Sequence, residues 1–176
     1  VMGLAAYGEP IYDFDHLIRE NCHKGIELPQ GKPEDIAASI QASYEKWLLQ
    51  LIGTWCKHDN LILMGGCALN CVANSKIKGK NIWIMPNPGD AGSALGAAAR
   101  HYGKKLNWKG PYLGTEIKQD VNPREVASHI STHGVAGLAN GRAEYGPRAL
   151  GNRSLLADPR LDIQDTVNDI KRRQRF

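Results

Sequence analysis

Four arginines between residues 141 and 160 alternate with glycines and prolines, and this combination could bind an anion. The arginines are Arg142, Arg148, Arg153 and Arg160. Because glycine costs about 1 kcal/mol and proline about 3 kcal/mol inside a helix, the stretch is predicted to be a structured loop between strands. Backbone N–H groups beside glycines and planar guanidinium groups suit phosphate or carboxylate oxygens, so we expect an anion site here. A solvated basic loop is the alternative.

The distribution of charge favours a small anionic ligand. The 176 residues carry a formal net charge of +4, and most of the positive excess lies from Gly141 onward. Proteins that bind nucleic acid strands combine cations with aromatic side chains, and only Tyr145 and Phe176 are aromatic in this region. Nucleic acid is therefore disfavoured as a partner. A non-catalytic basic module that binds RNA or an acidic partner is an alternative hypothesis from a different functional class.

The composition is typical of a soluble globular protein, with 42% hydrophobic and 23% charged residues. No signal peptide or apolar run of transmembrane length is present, so we expect a cytoplasmic protein without a membrane partner. Cys22, Cys56, Cys67 and Cys71 show no zinc-site spacing and are expected to be free thiols. His16 and His23 are expected to be surface residues.

Two strand–glycine–helix units are predicted near the middle of the chain. Residues 60–64 form an apolar strand, buried on both faces, that ends at Gly65 and Gly66, and a helix over 67–74 follows. Residues 81–85 form a second buried strand, and residues 90–100 form its helix. Open α/β sheets bind ligands beside such turns, although glycine also serves turns for steric reasons alone. Asp90 either caps the second helix or projects a carboxylate into the crevice.

The other elements are predicted to form scaffold. The clearest is a helix that begins near Pro33 and carries an apolar face from Ile36 to Trp55, which we expect to be core. A short helical turn at 1–8 and a short helix at 14–21 precede it. A linker is predicted over 103–118. After it we expect a helix at 122–130 capped by Asn122, strands at 135–139 and 155–157, and a last helix at 162–173.

Four motifs follow one another along nearly the whole chain. They are VMGLAAYG from Val1, GGCALNCVAN from Gly65, PGDAGSALGAA from Pro88 and GRAEYGPRALGNRS from Gly141. Together they resemble the motifs of the NodU/CmcH-type carbamoyltransferases, which carbamoylate a hydroxyl group of nodulation factors, cephems or aminoglycosides. A tRNA threonylcarbamoyl-transfer protein is a second enzyme hypothesis, which the GPRALG loop disfavours.

This resemblance implies an α/β fold of the actin/Hsp70-like (ASKHA, ribonuclease-H-like) class. Residues 1–104 would be the C-terminal part of a Kae1-like domain with a mixed sheet, and residues 105–121 a linker. Residues 122–176 would begin a YrdC-like region as a short α+β appendage. The chain is thus expected to be a piece of a longer enzyme, inactive alone, whose uncovered Leu, Trp and Tyr side chains drive self-association.

The resemblance also implies a reaction and its residues. Carbamoyl phosphate and ATP would give carbamoyl adenylate, and the carbamoyl group would pass to a hydroxyl of a small molecule or glycan beside a divalent metal, Fe or Mg. Asp90 would bind the metal, with further ligands from outside this chain. Arg148 and Arg153 would be catalytic. The cofactor-binding residues would be Gly65, Gly66, Asn70, Asn74, Gly89, Gly92 and Asn152.

Overall fold

Helices and two-stranded sheets form a mixed α/β structure in two compact units, residues 1–89 and 90–176. The computed structural model describes residues 1–19, 27–118 and 120–173. The helices are α1 (Asp15–Arg19), α2 (Pro33–Trp55), α3 (Cys71–Ser75), α4 (Ser93–Tyr102), α5 (Pro123–His133) and α6 (Gln164–Ile170). The strands are β1 (Asn60–Leu63), β2 (Asn81–Ile84), β3 (Tyr112–Ile117), β4 (Val135–Ala139), β5 (Gly141–Glu144) and β6 (Arg153–Ala157).

Helix α2 is the scaffold of the first unit and has the predicted extent. Pro33 occupies the first turn, where its missing N–H costs nothing, and Glu34 and Asp35 face the positive end of the helix dipole. A 3-10 turn at Leu4–Tyr7 packs against it. The contact is so close at Gly8 that an added Cβ would lie 2.2 Å from the carbonyl of Glu34, and a side chain there has no room.

The predicted burial of the apolar face of α2 was wrong at the end of the helix. Leu51 is 58% exposed and Trp55 is 77% exposed. The most buried positions of α2 are instead Ala37, Ala38, Ser39, Gln41, Ser43, Glu45 and Ile52. Small side chains let neighbouring backbone approach the helix, and the buried hydroxyl of Ser39 accepts the N–H of Tyr12 at 3.0 Å.

Strands β1 and β2 pair in parallel, with Ile62 opposite Trp83. The prediction that both strands are buried on both faces was wrong, because Ile62 is 64% and Trp83 is 49% exposed. In the described chain only the opposite face of this sheet is half-buried. A 3-10 turn at Gly66–Leu69 follows β1, so α3 begins at Cys71, later than expected. Asn70 caps it by accepting the N–H of Ala73 at 3.1 Å.

The second unit contains two antiparallel pairs, β3 with β5 and β4 with β6. The predicted β4, β6 and α5 are confirmed, and the side chain of Asn122 accepts the N–H of Arg124 as the helix cap. Strand β3 lies inside the stretch predicted as a linker, and β5 begins the predicted arginine loop, so both strands were missed. They pack closely, since a Cβ on Gly114 would lie 2.7 Å from that of Ala143.

Two predicted helices have other bounds than expected, since α4 is shifted toward the C-terminus and α6 is shorter. Helix α4 begins at Ser93 with Gly92 as its cap residue, while Asp90 lies in a 3-10 turn before it, so Asp90 does not cap α4. Helix α6 covers only Gln164–Ile170 of the predicted 162–173. Helix α1 falls within the predicted 14–21, whose last two residues lie outside the described residues, as do Cys22 and His23.

Candidate functional site

The arginine loop, defined here as residues 145–152, joins β5 to β6 and so connects the two strand pairs of the second unit. Gly146 and Gly151 have φ angles of 136° and 111°, in the region that favours glycine. Tyr145 begins the loop, and its N–H donates to the carbonyl of Pro111 at 2.7 Å. The loop is therefore attached at its first residue to the segment that leads into β3.

Glu144 organises the far end of this loop. Its Oε1 atom accepts backbone N–H groups from Leu150 at 2.7 Å, Asn152 at 2.7 Å and Arg153 at 3.2 Å. Partial desolvation raises the pKa of Glu144, but these hydrogen bonds outweigh it and hold the pKa below its ordinary value. Three N–H donors of the glycine-rich turn are thus bound to a carboxylate of the chain itself.

Arg153 and Asn152 also bind backbone atoms. The guanidinium of Arg153 donates to the carbonyls of Asn152 at 2.7 Å, Asn140 at 3.0 Å and Thr115 at 3.0 Å. The amide of Asn152 donates to the carbonyl of Arg142 at 2.8 Å. Both side chains hold β3, β5 and β6 around the loop, and their expected contacts with phosphate oxygens stay predictions.

Arg160, the fourth arginine, is neutralised by Asp158. Its Nε donates to Oδ1 of Asp158 at 2.9 Å, and Asp158 is only 3% exposed. Hydrogen bonds from the side chain and backbone of Arg160 lower the pKa of Asp158 to about 2. This pair closes the turn after β6 and offsets the charge of Arg160, whose side chain is 70% exposed.

Arg142 and Arg148 are the two arginines left open to a ligand. Both are exposed, and within the described residues neither forms a salt bridge. Arg148 contacts the carbonyl of the adjacent Pro147 at 3.4 Å, and Arg142 that of Leu113 at 3.3 Å. Each guanidinium therefore keeps most of its five donors for solvent or a bound anion.

Arg142 lines a cavity of about 330 Å³ in the second unit. The other lining residues are Asn107, Trp108, Lys109, Tyr112 and Leu113. Two cations and two aromatic rings in one wall suit an anion that also carries a planar group, because rings stack and cations bind oxygens. The Tyr112 hydroxyl donates to the carbonyl of Leu150 at 3.1 Å, which connects this wall to the arginine loop.

In the first unit, the glycine turns after β1 and β2 lie together. The N–H of Gly65 donates to the carbonyl of Pro88 at 2.7 Å, and a Cβ built on Gly89 would be 3.9 Å from the Cα of Gly66. Gly65 has a φ of 90°, and nothing lies within 4 Å of a Cβ built on Gly65 or Gly66. Three of the expected cofactor residues thus border open space at the carboxyl ends of parallel strands.

Asn70 belongs to a buried polar network between α2 and α3. Its amide and that of Gln41 exchange two hydrogen bonds, of 2.8 Å and 3.1 Å. Gln41 also donates to Glu45 at 2.8 Å, and Glu45 pairs with Lys76. Gln41 and Glu45 are 6% and 8% exposed, and each polar group in this network has a partner. The network positions α3 behind the glycine turn.

A cavity of about 500 Å³ lies beside this network. Its walls are mostly apolar, with Gln41, Ser43, Tyr44 and Asn70 as the polar members. The Tyr44 hydroxyl lies 3.4 Å from the carbonyl of Cys67, and burial together with the Cys67 thiol raises the pKa of Tyr44. A cavity of this size and character is typical of small-molecule sites.

Asn74, Asp90 and Gly92 have different surroundings. The amide nitrogen of Asn74 donates to the carbonyl of Ala68 at 2.8 Å, while its buried Oδ1 has no hydrogen-bond partner among the described residues. Gly92 is buried as the cap residue of α4, and Asp90 is exposed. Within the described ranges no group of three or more His, Cys, Asp or Glu side chains could hold a metal ion. The donors present here do not by themselves make a metal site at Asp90.

Glu144 and Gln41 are the residues that sequence reasoning missed. Glu144 is the sole acid in the segment from Gly141 to Arg153, among three arginines, which marks it as a candidate internal partner. Gln41 gave no such signal, since a polar residue on a long amphipathic helix is normally exposed.

Family models match both parts of the chain. The model described as "Carbamoyltransferase N-terminus" matches residues 13–99, and the one described as "Carbamoyltransferase C-terminus" matches residues 127–176. The chain belongs to the NodU/CmcH-type carbamoyltransferase family. The N-terminal family model covers the glycine turns and the C-terminal one covers the arginine loop.

Relatives in this family include two nodulation proteins of Bradyrhizobium diazoefficiens. Nodulation protein U is 34% identical over 86% of this chain and 31% of its own length. Nodulation protein NolO is 30% identical over 100% of this chain and 43% of its own length. An uncharacterised protein of Synechocystis is 34% identical over 97% of this chain and 40% of its own. The chain thus spans well under half the length of these carbamoyltransferase-family relatives. Among the residues that the structure describes, no helix is long and apolar enough to cross a membrane.

Proposed function

We propose that this chain forms part of an ATP-dependent O-carbamoyltransferase. The observation that carries the proposal is the arginine loop, which Glu144 and Arg153 hold in shape while Arg148 stays open to a ligand. The carbamoyltransferase C-terminus family model covers this loop. The nodulation proteins U and NolO are similar to the chain. The resemblance to the NodU/CmcH-type family supports a hydroxyl of a small molecule or glycan as the proposed acceptor.

The proposed reaction has two stages. Carbamoyl phosphate, ATP and water give carbamoyl adenylate, with release of phosphate and pyrophosphate. The acceptor oxygen then attacks the carbamoyl carbon, the bond to the AMP phosphate breaks, and the acceptor proton is lost as AMP leaves. Every stage moves negative charge on phosphate oxygens, which Arg148 and Arg142 would bind and partly neutralise. Arg153 and Asn152 act as positioning residues in this proposal.

Each of the two units contains a candidate ligand site of its own. The glycine turns of the first unit and the cavity beside Tyr44 would take ATP, in a domain of the actin/Hsp70-like class. The parallel pairing of β1 with β2 and its glycine turn support this assignment. The cavity beside Arg142 in the second unit would take carbamoyl phosphate.

A metal that bound at Asp90 would supply Lewis-acid chemistry, and its other ligands would have to come from outside the described residues. We infer a cytoplasmic location, since Cys56, Cys67 and Cys71 are all free thiols.

Calorimetric titration of ATP and, separately, carbamoyl phosphate into the chain tests the proposal. We expect weak binding of at least one ligand, and the Arg148→Ala variant should bind it about tenfold or more weakly, as loss of a charged hydrogen bond would give. Arg124→Ala is the matched control, because Arg124 is an exposed arginine on α5. Equal affinities for the two variants would contradict the assignment of Arg148. Steeply salt-dependent RNA binding without ATP binding would favour a basic binding module.

A further inference from the structure

His129 and His133 form a close imidazole pair on α5. They are one turn apart, so their side chains leave the same face of the helix, and both residues are exposed. The ring centres are 4.4 Å apart and the ring planes are inclined by 42°. Because both side chains are exposed, rotation about their side-chain torsions can bring one nitrogen of each ring to a shared point.

We propose that His129 and His133 bind a divalent transition-metal ion of the Ni²⁺ or Cu²⁺ type. A metal–nitrogen bond of about 2.0–2.1 Å places each ring centre a little over 3 Å from the metal, so ligands at a right angle have ring centres roughly 4.5 Å apart. A tetrahedral angle separates them further. The observed 4.4 Å between ring centres is close to this right-angle separation, which octahedral and square-planar ions use.

The helix that carries the pair is fixed at both ends. Asn122 caps the first turn through the N–H of Arg124 at 3.0 Å, and the N–H of Gly134 donates to the carbonyl of Ile130 at 2.7 Å. Helix α5 also packs against β4. A bound ion thus meets two ligands whose backbone positions are already set, and less ordering is needed on binding.

The local charge also suits a cation. Both histidines lie in the second half of α5, near the negative end of the helix dipole. Glu125 lies one further turn toward the N-terminus on the same face, and one of its oxygens accepts the amide of Asn122 at 3.0 Å. No group of three or more ligating side chains occurs in the described chain, so water would complete the coordination shell.

This site is separate from the proposed anion site and from Asp90. It uses neither the arginine loop nor the glycine turns, and its test needs neither ATP nor carbamoyl phosphate. Failure of the metal titration would leave the carbamoyl-transfer proposal untouched, and the converse also holds.

The experiment titrates NiCl₂ into the untagged, fully reduced chain and into single-alanine variants. We expect His129→Ala and His133→Ala each to weaken Ni²⁺ binding at least about tenfold, since losing even an outer-shell partner of a metal ligand costs about 10–100-fold. The double variant should bind Ni²⁺ more weakly than either single variant, because it keeps neither of the two ligands. Circular dichroism of each variant checks that α5 remains helical.

His58→Ala and His101→Ala are matched controls, because each removes an exposed histidine that has no ring partner within the described residues. Both should keep the wild-type affinity. Ni²⁺ should also raise the Tm of the wild type more than that of the double variant. Equal affinity in wild type and double variant, or an equal loss in the two controls, would overturn the proposal.

Discussion

The carboxylate of Glu144 accepts the backbone N–H of Asn152 at 2.7 Å, across a loop of eight residues that was expected to offer such donors to a ligand. The sequence predicted that glycines would free N–H groups for an anion. In the structure an internal carboxylate accepts three of them, while the side chains of Arg148 in the loop and Arg142 on β5 stay exposed. The proposed anion binding therefore relies on these two side chains and not on the loop N–H groups.

Removing the charge of Glu144 should loosen the loop without touching an arginine. In Glu144→Gln the amide group is a weaker acceptor than the carboxylate, so we expect amide hydrogen exchange at Leu150, Asn152 and Arg153 to be at least roughly tenfold faster. NMR measures these exchange rates. Glu116→Gln on β3 is the control, because Glu116 is exposed and its ion pair with Lys118 is long, at 4.0 Å. Unchanged rates at all three amides would refute the organising role of Glu144.

The two arginines expected to be catalytic should have different roles. We expect Arg153 to contribute to the stability of the fold and Arg148 to contribute to anion binding. Arg153→Ala leaves the carbonyls of Thr115 and Asn140 without their donor, and we expect it to lower the free energy of unfolding by about 1–3 kcal/mol. Arg148→Ala should change stability by less than about 0.5 kcal/mol while weakening anion binding. Urea denaturation of both variants measures the difference. A larger stability loss in Arg148→Ala than in Arg153→Ala would invert the assignment.

Acid should destabilise the second unit through Asp158. Its folded pKa is about 2, below the ordinary aspartate value of about 3.9, so the folded state favours the ionised form. The resulting stability is present above about pH 4 and is lost as the pH falls toward 2. In Asp158→Asn this part of the pH dependence should disappear, whereas Asp162→Asn should retain it. Chemical denaturation at a series of pH values follows the change.

The buried amide pair of Asn70 and Gln41 should contribute more to the free energy of unfolding than the exposed amide pair of Asn81 and Asn60. Asn70→Ala removes both hydrogen bonds to Gln41 and the cap of α3, and we expect a loss of about 1–3 kcal/mol in unfolding free energy. Asn81→Ala removes an exposed amide contact with Asn60 of 3.1 Å and should cost less than about 0.5 kcal/mol. Thermal denaturation compares the two. Similar losses of unfolding free energy in the two variants would show that burial of the Asn70–Gln41 pair adds no stability.

The exposed face of the first sheet should drive self-association. Ile62 and Trp83 are cross-strand neighbours and expose 64% and 49% of their surface. We propose that this pair contacts another copy of the chain, because parallel sheets are normally covered on both faces. Light scattering should show a concentration-dependent mass that falls in Trp83→Lys and persists in Ile11→Lys, a control at another exposed apolar residue. A monomeric wild type at all concentrations would contradict this.

The elements with local signals were predictable from the sequence. The proline and carboxylates at the start of α2, and the asparagine–proline pair at the start of α5, set helix starts through nearby atoms. Strand β3 had no comparable signal, because the glycine, lysine and proline residues of the 103–118 stretch suggested a linker. It becomes a strand only through its pairing with β5, a partner distant in sequence.

The candidate site was predictable in outline only. The types and spacing of the arginines and glycines pointed to the arginine loop and to the glycine turn. Tertiary contacts decide which residues of the arginine loop and of the glycine turn bind other parts of the chain and which stay exposed. Arg153 reaches Thr115 on another strand, and Asn70 meets Gln41 on another helix. Neither pairing follows from periodicity or spacing.

The parallel direction of β1 and β2 also sets an order of assembly during synthesis. A tight hairpin cannot join parallel strands, and here the chain returns through the 3-10 turn and α3. Among the described residues, β1 therefore has no partner strand on the ribosome until β2 has left the exit tunnel. The β1–β2 pair can form only after the intervening α3 has been synthesised.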